Sequence, residues 1–296
     1  MLLAQAVDTM LKIYDVRHIL GDSSFLLDDG KTSILYDTGF AFTGNQVAKN
    51  IKNILGDRSL DYIFLTHSHY DHALGSVYVK KLYPSVKIVA GEYATKIFLK
   101  DSAKQLMRDL DKKFAKTCGV EDYEDLIDNL IVDIAVADGD QIKAGDMTFT
   151  AVSLPGHTKC SIGYYLNSEK LLLGSETLGV YTGDSILPSY LVGYQMALNS
   201  IEKATALDIE NILAPHYGVL DKEQTKKYLQ DAKTNAVQTA NGILNILKSG
   251  GSDQDAIDYF MNKYYKGYAK EIYPIDAITL NTTIMVNLLK REFLEN

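Results

Sequence analysis

Apolar and polar positions alternate in short, strand-like blocks over the first two thirds of the chain, then change to helical spacing in the last third. Strands are expected at residues 12–16, 24–27 and 33–36, with the hairpin signal Asp28-Asp29-Gly30-Lys31 between the last two. Residues 46–55 have helical spacing and stop at Gly56. Residues 62–65 are continuously apolar, which marks a buried strand. A second strand, 86–90, is entered through Pro84 and closed by Gly91. Residues 92–116 read as one helix with Ile97, Leu106, Leu110 and Phe114 on one face; with the acidic loop 121–128 it makes a helical insertion over about residues 92–130.

Strands resume at 131–135 and 147–152, with turns at Asp138-Gly139-Asp140 and Gly145-Asp146, and a strand pair follows at 162–166 and 171–173. Residues 201–207 are helical and 211–214 form a last strand. Beyond Gly218, Tyr228, Ala232, Ala236, Ala240, Ile243 and Leu247 repeat at helical spacing until Gly250-Gly251. Ser252 opens a capping box with Asp255 for a helix reaching about residue 264, and 278–293 forms another, carrying Ile284, Met285, Leu288 and Leu289. These stripes are expected to pack on the main domain. The chain therefore divides into a mixed α/β unit, 1–220, and a helical extension, 221–296, packed on it.

Composition narrows the function classes. With 296 residues, 46% of them hydrophobic, the chain can bury a substantial core, and its longest apolar runs fall short of the roughly 18 residues a membrane span needs. Met1-Leu2-Leu3-Ala4 resembles a signal-peptide start, but it has no basic flank and Asp8 interrupts it, so export is not expected. The two cysteines, Cys118 and Cys160, lie far apart without a CxxC partner, which argues against a disulfide framework or a thiolate zinc knuckle and for a reducing cytoplasm. A net charge of -8 without any basic block disfavours nucleic acid. Neither nucleic acid nor a membrane is an expected partner. Most of the 20 tyrosines are expected to be half-buried packing residues.

Chemistry concentrates in Leu65-Thr66-His67-Ser68-His69-Tyr70-Asp71-His72, where three imidazoles and a carboxylate crowd behind a buried strand. Buried imidazoles need partners, and a polar run this dense is hard to satisfy by packing. Five of the six histidines, His67, His69, His72, His157 and His216, follow expected strands; His18 reads as an ordinary strand or loop residue. With Asp71 and Glu176 they supply seven nitrogen and oxygen donors, enough for two metal ions sharing a carboxylate. The His-x-His-x-Asp-His spacing lets the first two histidines converge on one ion while Asp71 and His72 turn toward a second. Donors of this kind without thiolate suit zinc, iron or manganese, and spacing does not choose among them. Two ions roughly 3.5 to 4 Å apart can hold a bridging hydroxide at neutral pH and polarise the bond being broken, so the implied chemistry is hydrolysis. Asp37, ending the third strand, either caps a turn or supports the site.

Thr66-His67-Ser68-His69-Tyr70-Asp71-His72, Pro155-Gly156-His157-Thr158, Gly174-Ser175-Glu176-Thr177 and Ala214-Pro215-His216-Tyr217-Gly218 together resemble, in order and spacing across about residues 11–220, the motifs of the metallo-β-lactamase superfamily. The resemblance implies an αβ/βα sandwich, here with a C-terminal helical extension, and a dinuclear site at one edge. It implies that His67, His69 and His157 hold one divalent ion and Asp71, His72 and His216 the other, with Glu176 bridging. Zinc is the preferred metal and iron or manganese the alternatives. The Tyr70 variant of the motif, the segment 135–140 and the helical tail are similar to those of the quinolone-signal response thioesterases. The family's bridging position is usually Asp, and Asp184 in Tyr181-Thr182-Gly183-Asp184 rivals Glu176 for it; Glu176 is preferred because it directly follows the strand 171–173.

The expected function is metal-dependent hydrolysis of a small ester, thioester or lactone, with the bridging hydroxide as nucleophile and Asp71 orienting it and accepting its proton. One alternative is a phosphodiesterase acting on a small phosphodiester, because the same ion pair can clamp phosphate oxygens. Another is a non-enzymatic ligand sensor that keeps the fold with a degraded site. A flavodiiron oxygen reductase is disfavoured: no flavodoxin-like domain is present, and His69 stands where such proteins carry a carboxylate. Cys160 reads as a filler of a tight turn or a reactive thiol, and Tyr181, Tyr190, Tyr194 and Tyr217 as packing or pocket lining. Substrate choice is expected to lie in the 92–130 insertion and the tail, whose helices could also build a homodimer contact.

Overall fold

The computed structural model describes residues 11–295; the N-terminal run 1–4 and Asp8 lie outside the described residues. The first sheet holds six strands side by side in chain order, β1 (Lys12–Asp15), β2 (Phe25–Asp28), β3 (Ser33–Tyr36), β4 (Tyr62–Phe64), β5 (Lys87–Gly91) and β6 (Ile134–Val136). β1 to β3 are antiparallel, and β3 to β6 are parallel. Parallel neighbours need crossovers, supplied by helices Ala41–Leu55, Ser76–Leu82 and the pair Glu92–Phe98 and Asp101–Thr117. The rest of the mixed unit supplies β7 (Gln141–Ala144), β8 (Met147–Ser153), β9 (Ile162–Leu166), β10 (Leu171–Leu173), the hairpin β11 (Val180–Tyr181) and β12 (Ile186–Leu187), β13 (Asn211–Ala214) and β14 (Gly218–Leu220). Its second six-stranded sheet runs β14-β13-β10-β9-β8-β7.

Side-chain alternation explains the layering. On β3, Ile34 and Tyr36 face the second sheet while Leu35 faces the outer helices; on β10, Leu171 and Leu173 face inward while Leu172 faces out. Both faces of these strands are covered, so they read as unbroken apolar runs. Between the sheets the Phe64 ring packs 5.1 Å from Phe149 and 4.6 Å from Tyr164. Helices Tyr194–Thr205 and Lys222–Lys248 cover the outer face of the second sheet through Ile201, Ala232 and Ala236, and helices Asp253–Tyr264 and Ile275–Phe293 pack on Lys222–Lys248 and on each other. The αβ/βα layer order with C-terminal helices is the fold the resemblance implied. Capping boxes Asp221 with Gln224 and Ser252 with Asp255 start two tail helices. Among the described residues, no helix is long and apolar enough to cross a membrane.

Several expected elements are corrected. The helix over 92–116 is broken at Leu99-Lys100, where Lys100 is extended. Its second half buries Met107, Asp111 and Ala115, leaving Leu106 60% exposed. The cause is the Asp111 carboxylate, which accepts the Ala41 N–H at 2.8 Å and turns that face inward. The strand expected at 131–135 begins at Ile134, because Asp133 binds the Ile88 amide at 3.0 Å and Ile131 points to solvent. β7, β11, β12 and β14 are additional to the expected strands. The expected helix 201–207 starts earlier, at Tyr194, and a short helix, Tyr268–Ile272, precedes the last one.

Candidate metal centre

Each candidate ligand leaves a strand end. After β4 the chain runs through Leu65 and Thr66 to His67. His69 is the N-cap of the short helix Tyr70–Ala73, whose first turn carries Asp71 and His72. His157 follows β8 through Pro155-Gly156, where Gly156 has φ 144° and a Cβ would lie 2.6 Å from the Ala197 Cα, so only glycine fits. Glu176 opens a 3-10 turn, Glu176–Leu178, just past β10. His216 follows β13 with φ 62°, its carbonyl accepting hydrogen bonds from Arg17 and, at 2.6 Å, from the Tyr268 hydroxyl of the tail.

The seven donors form two clusters. One ligand atom from each of His67, His69, His157 and Glu176 lies within 4.8 Å of the others, and the same holds for Asp71, His72 and His216. Glu176 joins them: its Oε2 is 2.8 Å from His157 Nε2 and 3.5 Å from both His67 Nε2 and His72 Nε2, while Oε1 is 3.4 Å from His216 Nε2. Asp71 Oδ2 lies 3.7 Å from His72 Nε2 and 3.8 Å from His216 Nε2. Asp184 is elsewhere, exposed in the turn between β11 and β12, where it accepts from Thr182 Oγ1 at 3.4 Å.

The other ring nitrogens are occupied in a way that aims the imidazoles. His72 Nδ1 meets Asp37 Oδ2 at 2.7 Å, His157 Nδ1 meets Ser189 Oγ at 2.8 Å, His216 Nδ1 meets the Gly21 carbonyl at 3.0 Å and His67 Nδ1 meets Thr66 Oγ1 at 3.0 Å. Asp37 is itself fixed by the Thr66 amide at 2.8 Å and Ser23 Oγ at 3.1 Å. The Nε2 atoms of His67, His72 and His216 are buried with no hydrogen-bond partner among the described residues. Orphaned polar atoms of this kind are costly, and here they converge on two carboxylates. His69 differs, turning Nδ1 to within 3.0 Å of His157 Nε2.

Electrostatics match the ligand role. Burial, then His72, His69 and His157, hold His67 well below the ordinary histidine range, and burial and His157 bring His69 down to about 3. For His72, burial acts downward but Asp71 and Asp37 outweigh it and lift the imidazole well above its usual value. Burial would raise Glu176, yet the neighbouring imidazoles, His157 foremost, pull it well below the carboxylate range. His67 and His69 held neutral, an ionised Glu176, and the unpartnered Nε2 atoms of His67, His72 and His216 form a donor set that fits two divalent cations, whose binding would displace the proton that Asp71 and Asp37 favour on His72.

All seven sequence-predicted donors are thus brought together. Asp37 supports the site rather than merely capping a turn, whereas His18 is exposed in the turn after β1. Cys160 fills a turn, its thiol donating to Ser68 Oγ at 3.3 Å. Tyr190 and Tyr194 lie in the core beneath the tail, and Tyr181 and Tyr217 meet edge to face with ring centroids 4.6 Å apart. Sequence reasoning missed Ser189, Gly21 and Tyr273. Tyr273, from the helical tail, donates its hydroxyl to Glu176 Oε1. Beside the centre opens a cavity of about 570 Å³ whose walls include Gly21, Tyr70 and Tyr273.

The family model described as the metallo-beta-lactamase superfamily matches residues 20–216. Among curated proteins, the chain is similar to a hydroxyacylglutathione hydrolase, cytoplasmic, of Arabidopsis thaliana, 29% identical over 43% of this chain and 35% of that protein. It is also similar to the flavo-diiron protein FprA2 of Clostridium acetobutylicum, 29% identical over 36% of this chain and 26% of that protein. These matches span about a third or less of those relatives' length. Among solved structures, a metallo-beta-lactamase family protein from Thermus thermophilus superposes with a TM-score of 0.62 at 15% identity, covering 98% of this chain and 92% of that one. The fold, the order of the motifs and the span of the family match lead to one conclusion: the chain belongs to the metallo-beta-lactamase superfamily.

Proposed function

We propose that this chain is a metal-dependent hydrolase of a small ester, thioester or lactone. His67, His69 and His157 would hold one divalent ion and Asp71, His72 and His216 the other, with Glu176 contributing a carboxylate that reaches both clusters. The observation that carries the reading is the convergence of three buried, unpartnered Nε2 atoms on Glu176 and Asp71. When bound, two such ions ionise a water at neutral pH and polarise a carbonyl oxygen. The residues supply the rest. Asp71, between His72 and His216, orients the attacking water and takes its proton. Asp37 fixes the His72 ring so that Nε2 faces the centre. Zinc is the preferred metal and iron or manganese the alternatives.

Thioesters are favoured within this class because hydroxyacylglutathione, named as the substrate of the Arabidopsis relative, is a thioester. The acidic chain and its lack of a basic block support a small-molecule substrate rather than nucleic acid. Metal analysis of the purified chain, with hydrolysis of a panel of esters, thioesters, lactones and phosphodiesters after metal loading, tests the reading. Close to two ions per chain and turnover of a carbonyl substrate are expected. No bound metal and no turnover across the panel would overturn it, and preference for the phosphodiester would move the assignment to phosphodiester hydrolysis.

A further inference from the structure

The cavity beside the centre is built from two parts of the chain far apart in sequence. One wall is the crossover helix Asp101–Thr117, contributing Leu110 and Phe114; the other is the tail, contributing Tyr265, Pro274, Ile275, Ala277 and Leu280. Two hydrogen bonds and one chain neighbour join the cavity to the centre. Gly21 offers its carbonyl to His216 Nδ1, Tyr70 is the residue before Asp71, and Tyr273 donates to Glu176. None of the seven donors lines the cavity itself, so it adjoins the clusters through Gly21, Tyr70 and Tyr273, and the remainder of a molecule whose carbonyl is presented to the clusters would extend past these residues into it. The volume of about 570 Å³ falls within the range of small-molecule sites.

The character of the walls indicates what that remainder is. Ile275 is 58% exposed and Leu280 49%, both on the cavity side, an exposure that large apolar residues tolerate best where an apolar group covers them. The charged groups do not make an anion site. Lys113 is neutralised by Asp276 at 2.7 Å, and Lys270, stacked over the Tyr265 ring at 5.6 Å, is balanced by Glu271 on the same wall. Two lysines against two carboxylates leave the lining without net charge. A thiol carrier with several negative charges would find no unopposed cation cluster here.

We propose that the cavity between helix Asp101–Thr117 and the tail is the acyl site of the enzyme, and that it takes an uncharged, apolar acyl group, an alkyl chain or an aryl ring, on the ester or thioester to be cleaved. This assignment rests on the hydrolase reading above and adds the substrate class to it. The scissile carbonyl lies toward Tyr70 and Tyr273, and the chain lies against Phe114, Ile275, Ala277 and Leu280. Ala277 is the position at which a larger side chain would fill the channel while remaining on an accessible first turn of helix Ile275–Phe293.

The test uses the full chain in two forms. With the metal-loaded protein, kcat/KM is compared for acetyl, butyryl and octanoyl esters of one phenol and for the matching thioesters. With the metal-free protein, calorimetric titration measures binding of octanamide, which is not turned over. The expected result is a rise of about fourfold in kcat/KM per added methylene, the conversion of about 0.8 kcal/mol per buried CH₂. Octanamide should bind the metal-free protein, and Ala277→Phe should abolish both the chain-length preference and octanamide binding. Equal turnover of acetyl and octanoyl substrates, unaltered in Ala277→Phe, would overturn the acyl-site assignment and leave the hydrolase reading intact. Octanamide binding that Ala277→Phe removes, with no carbonyl substrate turned over after metal loading, would support the cavity's apolar specificity and overturn the hydrolase reading. Leu280→Lys is the second variant: it should weaken octanamide binding without loss of folding, and unchanged binding would count against the assignment.

Discussion

Tyr273 and Glu176 are 97 positions apart in sequence, yet the phenol of one holds a carboxylate oxygen of the other. With Oε1 occupied by that hydrogen bond, Oε2 is the atom presented to His67, His72 and His157. Removing an outer partner of a ligand typically weakens metal binding by about 10- to 100-fold. Tyr273→Phe is therefore expected to lower zinc affinity by that order, as read by competition with a chromophoric chelator, while the melting temperature of the metal-free protein stays unchanged. Glu176→Asp withdraws the carboxylate by a methylene and is expected to reduce metal content below two ions per chain by elemental analysis. The seven donors were legible in the sequence because each follows a strand end within a short motif. Their supports were not. Ser189, Gly21 and Tyr273 act through positions that only folding brings near, and Gly21 acts through a backbone carbonyl, which no residue type announces.

At the scale of elements, helix Ala41–Leu55 begins without a side-chain cap of its own, and Asp111 from another helix takes its first N–H. Burial, opposed by the Tyr123 hydroxyl and the Ala41 and Phe42 amides, brings the Asp111 carboxyl up to about 7 from an ordinary 3.8. Between those two values the folded chain keeps a proton that the unfolded chain has released, so this residue makes stability fall as pH rises, by at most about 1.4 kcal/mol per pH unit, and the loss is complete above pH 7. Asp111→Asn should flatten that slope: in urea titrations the difference between variant and parent should move in the variant's favour from pH 5 to pH 8, and a pH-independent difference would contradict it. Gly156→Ala forces a Cβ against Ala197 and is expected to cost about 1 to 3 kcal/mol, measured from the same titrations. Most strands could be read from short apolar runs bounded by turn residues, whereas the break at Lys100 and the inward face of helix Asp101–Thr117 could not. A carboxylate at Asp111 dictates that face, and hydrophobic spacing alone chose Leu106.

For the molecule as a whole, the helical tail both covers the outer face of the second sheet and reaches the centre. The Tyr228 hydroxyl donates to the Gly179 carbonyl at 2.5 Å, just past the Glu176 turn, and Ala232 and Ala236 pack against the same sheet face. A chain ending at residue 220 leaves that apolar face uncovered and is expected to lose its near-ultraviolet circular dichroism and to aggregate; a folded monomer would contradict the packing argument. The two clusters draw ligands from loops of both sheets, so binding of metal ties the halves of the sandwich together. Addition of zinc in excess is expected to raise the melting temperature in a concentration-dependent way, as scanning calorimetry reads.

The Tyr273 hydroxyl has a further meaning once the cavity it borders is considered as a binding site. An occupant that draws the hydroxyl away from Glu176 alters the ligand's grip on the metal pair. By thermodynamic linkage, the factor by which such an occupant changes metal affinity is the factor by which the metals change affinity for the occupant. Tail, acyl group and metals then form one reciprocally coupled system, in which a single phenol carries the exchange.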